Sequence, residues 1–205
     1  MPDAVFDGSE IHPGWGVMIE GPRISAVGPV DDLSGADERI ELPGTTLLPG
    51  LIEGHSHLLL HPYNETPWTD QVLNETHSLR IVRGTIHAKA TLQAGVTTVR
   101  DLGTEGADFG DVGLRDGVRA GIIPGPRILV ATRAIVATGS YNPKGAPELE
   151  IPKGAEPADG NELIRVTRNQ IGRGADWIKV YADYRWGPNG QARPSFTLGE
   201  LRTIV

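Results

Sequence analysis

Two imidazoles two positions apart, His55 and His57 in GLIEGHSHLLLHP (Gly50 to Pro62), are the residues of this chain best placed to do chemistry. If the apolar residues around them form a strand, positions i and i+2 share a face, so the rings project side by side with Glu53 one step earlier on the same side. Two neutral imidazoles at that spacing can chelate one divalent cation, and borderline-soft metals such as zinc favour them. The motif is short, and a pair of structural histidines satisfied by hydrogen bonds fits it equally well. The chain contains no cysteine, which removes disulfides and thiolate zinc sites and leaves histidine, carboxylate or modified lysine as ligands.

Lys179, in GADWIKVYADY, is the second such residue. Period two puts it on one face with Trp177 and Tyr181, in a segment rich in apolar and aromatic side chains. A lysine within a buried strand is costly unless paired or neutralised. Three readings stand side by side: a salt bridge to Asp176 or Asp183, a register facing a polar gap between helices, or a desolvated amine with a lowered pKa. A neutral amine can add carbon dioxide and lose a proton to give a carbamate, turning a cation into a bidentate carboxylate able to bridge two metals.

The elements that must position these residues alternate along the chain. Residues 1–49 read as a small β-rich unit: GWGVMIEGPRISAVG is a hairpin about Glu20-Gly21-Pro22, and RIELPGTTLLPG adds two strands. After Pro49, strands near 51–59, 96–102, 127–136 and 176–183 are separated by helical stretches. In the first of these, ETHSLRIVRGTIHAKATLQAG, Leu79, Val82, Ile86 and Ala90 recur at three- and four-residue spacing. A short helix is expected around DVGLRDGVRAG, a longer one over NELIRVTRNQIGRG, and a long loop over 138–160. Thr197 with Glu200 three residues on marks the start of a last helix. Strands alternating with helices predict βαβ units and a parallel sheet, an α/β fold. A complete (β/α)8 barrel takes ~250 residues, and about 155 follow the β-rich unit, so the expectation is the first half of a larger protein or one piece of a split one.

With His-x-His on the first of these strands and a lysine on the fourth, the chain resembles the amidohydrolase superfamily over essentially its whole length. TTLLPGLIEGHSH is similar to that family's first-strand signature. LQAGVTTVRDLG is similar to the second-strand segment of imidazolonepropionase-like and prolidase-like members, and RGADWIKVYAD to the fourth-strand segment that holds a carboxylated lysine in binuclear members. The resemblance implies a TIM (β/α)8-type barrel of which residues 50–205 supply about the first four βα units, preceded by a β-sandwich segment in 1–49. It implies that His55 and His57 bind the more buried metal, usually zinc (Zn2+), and that Lys179, as N6-carboxylysine, bridges it to a second divalent ion in binuclear members. The implied activity is hydrolysis of amide or peptide C–N bonds by a metal-activated water, in dipeptides, N-acyl amino acids or related amides. Lactonase, phosphotriesterase and imidazolonepropionase-like activities occur among neighbours. The family's catalytic aspartate and two further histidine ligands belong to later strands, beyond Val205. Glu53 stands where the family often has aspartate, at a position that supports the ligands from behind. The rival of another class is a non-catalytic half-protein that folds only with a complementary C-terminal half.

The remaining candidates are weaker. His61 opens the first βα loop and could touch substrate. Tyr141 and Lys144, in the third loop TGSYNPKG, could contact a substrate carboxylate or phosphate, and Tyr181 shares the inward face with Lys179. Asp101 ends the second strand, where it could support a metal-bound histidine, cap a helix or pair with Arg100. His77 and His87 read as surface or packing residues, and the acidic segment from Glu148 to Glu156 as solvated. A net charge of −7 without a dense Lys/Arg block makes nucleic acid and anionic membranes poor partners. No run approaches ~18 apolar residues, and MPDAVFDGSE lacks the basic and apolar regions of a leader. The expectation is a cytoplasmic chain, with an exported form whose leader has been removed left open. It would act on a small-molecule or peptide substrate, as a homo-oligomer or in association with a C-terminal half.

Overall fold

The computed structural model describes residues 1–141, 154–185 and 188–205; Lys144 and most of the acidic segment that begins at Glu148 lie outside the described residues. The chain divides into two compact units, Met1–Gly50 and Leu51–Val205.

In the first unit, β1 (Pro2–Phe6) pairs antiparallel with β2 (Ile11–Pro13), while β3 (Trp15–Glu20) and β4 (Arg23–Pro29) form the expected hairpin. Its turn works because Gly21 takes the left-handed conformation, at φ 56°, that side chains disfavour. The stretch expected to give two strands gives one, β5 (Leu42–Leu47), parallel to β1. Pro43 and Gly44 do not turn the chain. They are absorbed as a register shift, so that Pro2 faces Leu42 but Ala4 already faces Thr46.

The second unit carries a parallel sheet in the order β6 (Leu51–Ser56), β7 (Val96–Asp101), β8 (Arg127–Val130). Short pairs follow: β9 (Ile135–Val136) with β10 (Glu156–Pro157), and β11 (Asp183–Tyr184) with β12 (Arg193–Pro194). Among the described residues, five α-helices accompany them: α1 (Trp68–Asn74), α2 (His77–Gln93), α3 (Gly110–Arg119), α4 (Glu162–Gly172) and α5 (Leu198–Ile204). Leu58, Leu59, Ala88, Val99, Leu114 and Ile128 fill the core between the sheet, α2 and α3. The box at α5 is formed, with the Glu200 N–H donating to Thr197 Oγ1 at 3.2 Å and the Thr197 N–H to Glu200 Oε2 at 2.9 Å. Among the described residues, no helix is long and apolar enough to cross a membrane.

The sheet departs from expectation where the third strand breaks between β8 and β9. Thr132 there is fully buried and left-handed, at φ 57°. Its N–H leaves the ladder for Asp111 Oδ2, 2.8 Å away, and its hydroxyl donates to Gln170. The break propagates to the next segment, read as a strand over 176–183. The N–H groups of Asp176 and Trp177 both donate to the Val130 carbonyl (2.8 and 3.1 Å). Ile135 donates to the Lys179 carbonyl at 2.8 Å, and Tyr181 donates back to Ile135 at 3.0 Å. The result is extended chain beside β8 and β9 with one parallel bridge, Ile135 to Val180, instead of a continuous ladder. Its alternation survives. Ile178 and Val180 pack with Leu163 and Val166 of α4, whereas Tyr181 packs with Ala134 and Val136 on the opposite face.

α2 also turns an unexpected side inward. Thr76 caps it by accepting the Leu79 N–H at 3.3 Å, but Leu79, Val82 and Ile86 are exposed and the buried stripe is Arg80, Gly84 and Ala88. Small size at Gly84 seats the helix on the chain after β6, since a Cβ there would come within 2.7 Å of Leu59 Cδ2.

Candidate active site

β6 and the residue that follows it bring His55 and His57 close together, with ring centroids 5.4 Å apart and planes inclined at 59°. His57 Nδ1 lies 2.8 Å from the Gly103 carbonyl oxygen. A carbonyl only accepts, so Nδ1 carries the hydrogen and Nε2 is left with a free lone pair. A metal-ligating imidazole is oriented in this way, by a hydrogen bond from its other nitrogen. His55 is exposed, and the slight desolvation of its ring first, then the positive charge of Lys179 and the ring of His57, hold its pKa below the ordinary value. That keeps its ring neutral and its lone pair available near neutral pH.

Asp101 does not touch either ring. Fully buried, it accepts the Leu58 N–H at Oδ2 (2.9 Å) and the Gly103 N–H at Oδ1 (3.1 Å). One carboxylate thus ties the residue after His57 to the residue whose carbonyl orients His57. Burial, reinforced by the charge of Asp111, pushes Asp101 up to about 8 against the pull of those two N–H donors. Arg100 is not its partner: the guanidinium donates to the Gly54 carbonyl at 2.9 Å and lies 5.1 Å from the centre of the Trp177 ring. Glu53 is exposed and folds back on its own strand, accepting the His55 N–H at 2.8 Å.

Lys179 stands on the face opposite α4, its Nζ 5.1 Å from the centre of the Tyr181 ring. Neither expected ion pair forms. Among the described residues no carboxylate is within 4 Å of it, and Asp176 is engaged by Arg115 at 3.0 Å and Arg119 at 3.9 Å. Burial lowers the pKa of the amine, the charge of Glu105 opposes that shift, and Arg100 adds to it.

Glu105 went unnoticed in the sequence. It is 2% exposed and left-handed at φ 48°. Its carboxylate receives three donors from distant segments: Trp68 Nε1 at 3.0 Å and the Tyr141 hydroxyl on Oε2, and the Tyr181 hydroxyl on Oε1 at 3.2 Å. Burial and the neighbouring charge of Glu105 raise both phenols above their ordinary pKa. Arg80, fully buried on α2, clamps the chain beneath by donating to the carbonyls of Leu59 (3.2 Å), Glu105 (2.9 Å) and Thr104 (2.6 Å).

A cavity of about 510 Å³ has walls that include His55, His57, His61, Tyr63 and His87. His61 sits between Glu75 (3.5 Å) and Glu65 (3.9 Å), and its ring centre is 6.1 Å from that of His87. His87, expected as a surface or packing residue, donates from Nδ1 to the Leu58 carbonyl at 2.9 Å and forms part of the cavity wall. Lys179, Tyr141 and Tyr181 lie outside this lining.

Among the described residues, no three histidine, cysteine, aspartate or glutamate side chains converge as metal ligands. The donors present are two imidazoles, one with Nε2 freed by Gly103 and one held neutral, and a desolvated amine. That set fits one side of a metal site.

The chain belongs to the amidohydrolase family, whose profile residues 46–205 match. An imidazolonepropionase of Paenarthrobacter aurescens (strain TC1) is 26% identical over 191 residues, 92% of this chain and 44% of the relative. Among solved structures, an amidohydrolase superposes with a TM-score of 0.75 at 26% identity, covering 98% of this chain and 51% of that one. A prolidase solved with N-methylphosphonate-L-proline superposes with a TM-score of 0.70 at 27% identity, again over 98% and 51%. These likenesses make the fold a mixed α/β, TIM-barrel-type fold. The chain spans about half the length of the relatives it matches.

Proposed function

We propose that this chain is the N-terminal half of a metal-dependent amidohydrolase that hydrolyses amide or peptide C–N bonds. In this reading residues 1–49 contribute a β-sandwich segment and residues 50–205 about the first four βα units of a barrel. The observation that carries it is the His57–Gly103 hydrogen bond, which frees Nε2 on the ring beside His55 and leaves both rings ready to ligate. The likeness to a prolidase supports a dipeptide or related amide as substrate.

His55 and His57 would hold a zinc ion, and Lys179 would bridge it to a second. When bound, such a metal polarises the scissile carbonyl and acidifies a water at near-neutral pH. The rest of the chemistry belongs to the chain itself. The lowered pKa of Lys179 favours the neutral amine, whose lone pair forms an N–C bond to carbon dioxide while one proton leaves to solvent. Asp101 keeps Leu58 and Gly103 in register, so the His57 ring does not turn.

The test is zinc content and dipeptide hydrolysis by the purified chain in bicarbonate buffer, alone and mixed with a polypeptide completing the length of its relatives. Bound zinc and turnover in the completed sample are expected. A chain without zinc, inert even then, would establish the non-catalytic half-protein instead.

A further inference from the structure

We propose that Tyr141, Tyr181 and the carboxylate of Glu105 form a recognition subsite for a protonated amine of the substrate, and that this subsite discriminates against a carboxylate. The proposal rests on the reading of the face around Lys179 as part of an active site.

A tyrosine hydroxyl has one hydrogen and two lone pairs. Both hydroxyls spend that hydrogen on Glu105, Tyr141 on Oε2 and Tyr181 on Oε1. Oε2 also takes the Trp68 indole N–H, at 3.0 Å. What the two phenols can offer a ligand is therefore lone pairs, backed by a buried negative charge. A ligand ammonium or amide N–H meets acceptors there, whereas a ligand carboxylate meets, in Tyr141, Tyr181 and Glu105, three groups whose free valences are lone pairs.

The platform is built to stay in this state. The Tyr141 and Tyr181 rings lie 5.1 Å apart between centroids with their planes tilted by 37°, and Tyr184 closes against them at 5.6 and 6.3 Å. The left-handed backbone of Glu105 is held through its carbonyl by Arg80 at 2.9 Å, and its carboxylate by the donors from Trp68, Tyr141 and Tyr181. Among the described residues an ammonium group already lies beside the platform: Lys179 Nζ is 5.1 Å from the centre of the Tyr181 ring, and the charge of Glu105 favours its protonated form. Once Lys179 is no longer a cation, the same surface can receive the ammonium of a substrate. Of the amides the fold could act on, this favours peptides with a free amino terminus over N-acyl amino acids. On this proposal Tyr141 would meet an ammonium group in place of the carboxylate or phosphate expected from the sequence.

The experiment is a titration of the Lys179→Met chain, followed through its tyrosine ring NMR signals, with L-alaninamide hydrochloride and, separately, sodium N-acetylglycinate at matched ionic strength. L-Alaninamide is expected to bind about tenfold more tightly, a difference of about 1.4 kcal/mol. In Glu105→Gln the side-chain amide donates to a phenol, frees a hydroxyl hydrogen and should abolish the preference. Tyr141→Phe and Tyr181→Phe each remove one acceptor without disturbing the backbone of Glu105, and each should weaken L-alaninamide binding about threefold. Equal or reversed affinities, a preference that survives Glu105→Gln in folded protein, no effect of either phenylalanine, or no binding of either probe would each overturn the proposal. Neither metal nor turnover enters this readout, so amine recognition and the hydrolase reading fail separately.

Discussion

His57 and Gly103, 46 positions apart in the chain, meet through a 2.8 Å hydrogen bond from the imidazole Nδ1–H to the backbone carbonyl. Asp101 fixes both ends of that contact by accepting the N–H of Leu58 and the N–H of Gly103. A histidine just past the end of one strand is thereby given one tautomer and one orientation by the loop that follows the neighbouring strand.

Asp101→Asn should loosen that arrangement. The amide keeps one acceptor oxygen where two N–H groups need one each, so one backbone donor loses its partner. A fall of about 10–100-fold in zinc affinity is expected, the usual cost of losing a group that holds a ligand in place. Competitive zinc titration of wild type and variant, at matched circular dichroism, measures it. Unchanged affinity would remove Asp101 from the account.

The same carboxyl makes stability depend on pH. Its folded pKa is raised to about 8, so between the ordinary aspartate value and about 8 the native state binds more protons than the unfolded state. Stability from this group is full at low pH and is lost as pH rises, by up to about 1.4 kcal/mol per unit inside the window. Asp111, raised to about 6, acts in the same sense lower down, which leaves Asp101 dominant between about pH 6.5 and 8. Urea midpoints of the zinc-free chain should fall over that range in wild type and stay flat in Asp101→Asn.

Arg80→Met should destabilise the second unit by about 3 kcal/mol or more, because three buried carbonyls lose their donor together. Thermal and urea unfolding test this. A loss within about 0.5 kcal/mol, typical of an exposed helix position, would mean that water replaces the guanidinium.

Lys179→Ala should eliminate any carbamate carbon signal that wild type shows in 13C-bicarbonate with zinc, and should reduce the zinc bound per chain. A signal that persists in the variant would place the modification on another amine.

Part of the candidate site was readable in the sequence because it follows a short period. His55 and His57 lie close together at the end of β6, despite a register shift between Glu53 and Ser56, and alternation puts Lys179 with Tyr181 even though, among the described residues, a single bridge forms there. What stayed hidden depends on contacts between distant segments. The apolar residues of α2 marked a helix correctly yet named the wrong face, because docking required the missing side chain of Gly84 and the donors of Arg80. Glu105 is a lone acid in a glycine-flanked loop with no periodic signal, and its three donors come from positions 68, 141 and 181. The broken third strand turns on Thr132, whose partners Asp111 and Gln170 lie on α3 and α4.

Zinc stoichiometry of the purified wild-type chain beside His55→Ala and His57→Ala, read by elemental analysis after dialysis, tests the central claim most directly. Bound zinc in wild type that is lost in both variants is the predicted result. Zinc retained by the two variants at the wild-type level would contradict the assignment of these imidazoles as the metal ligands of this chain.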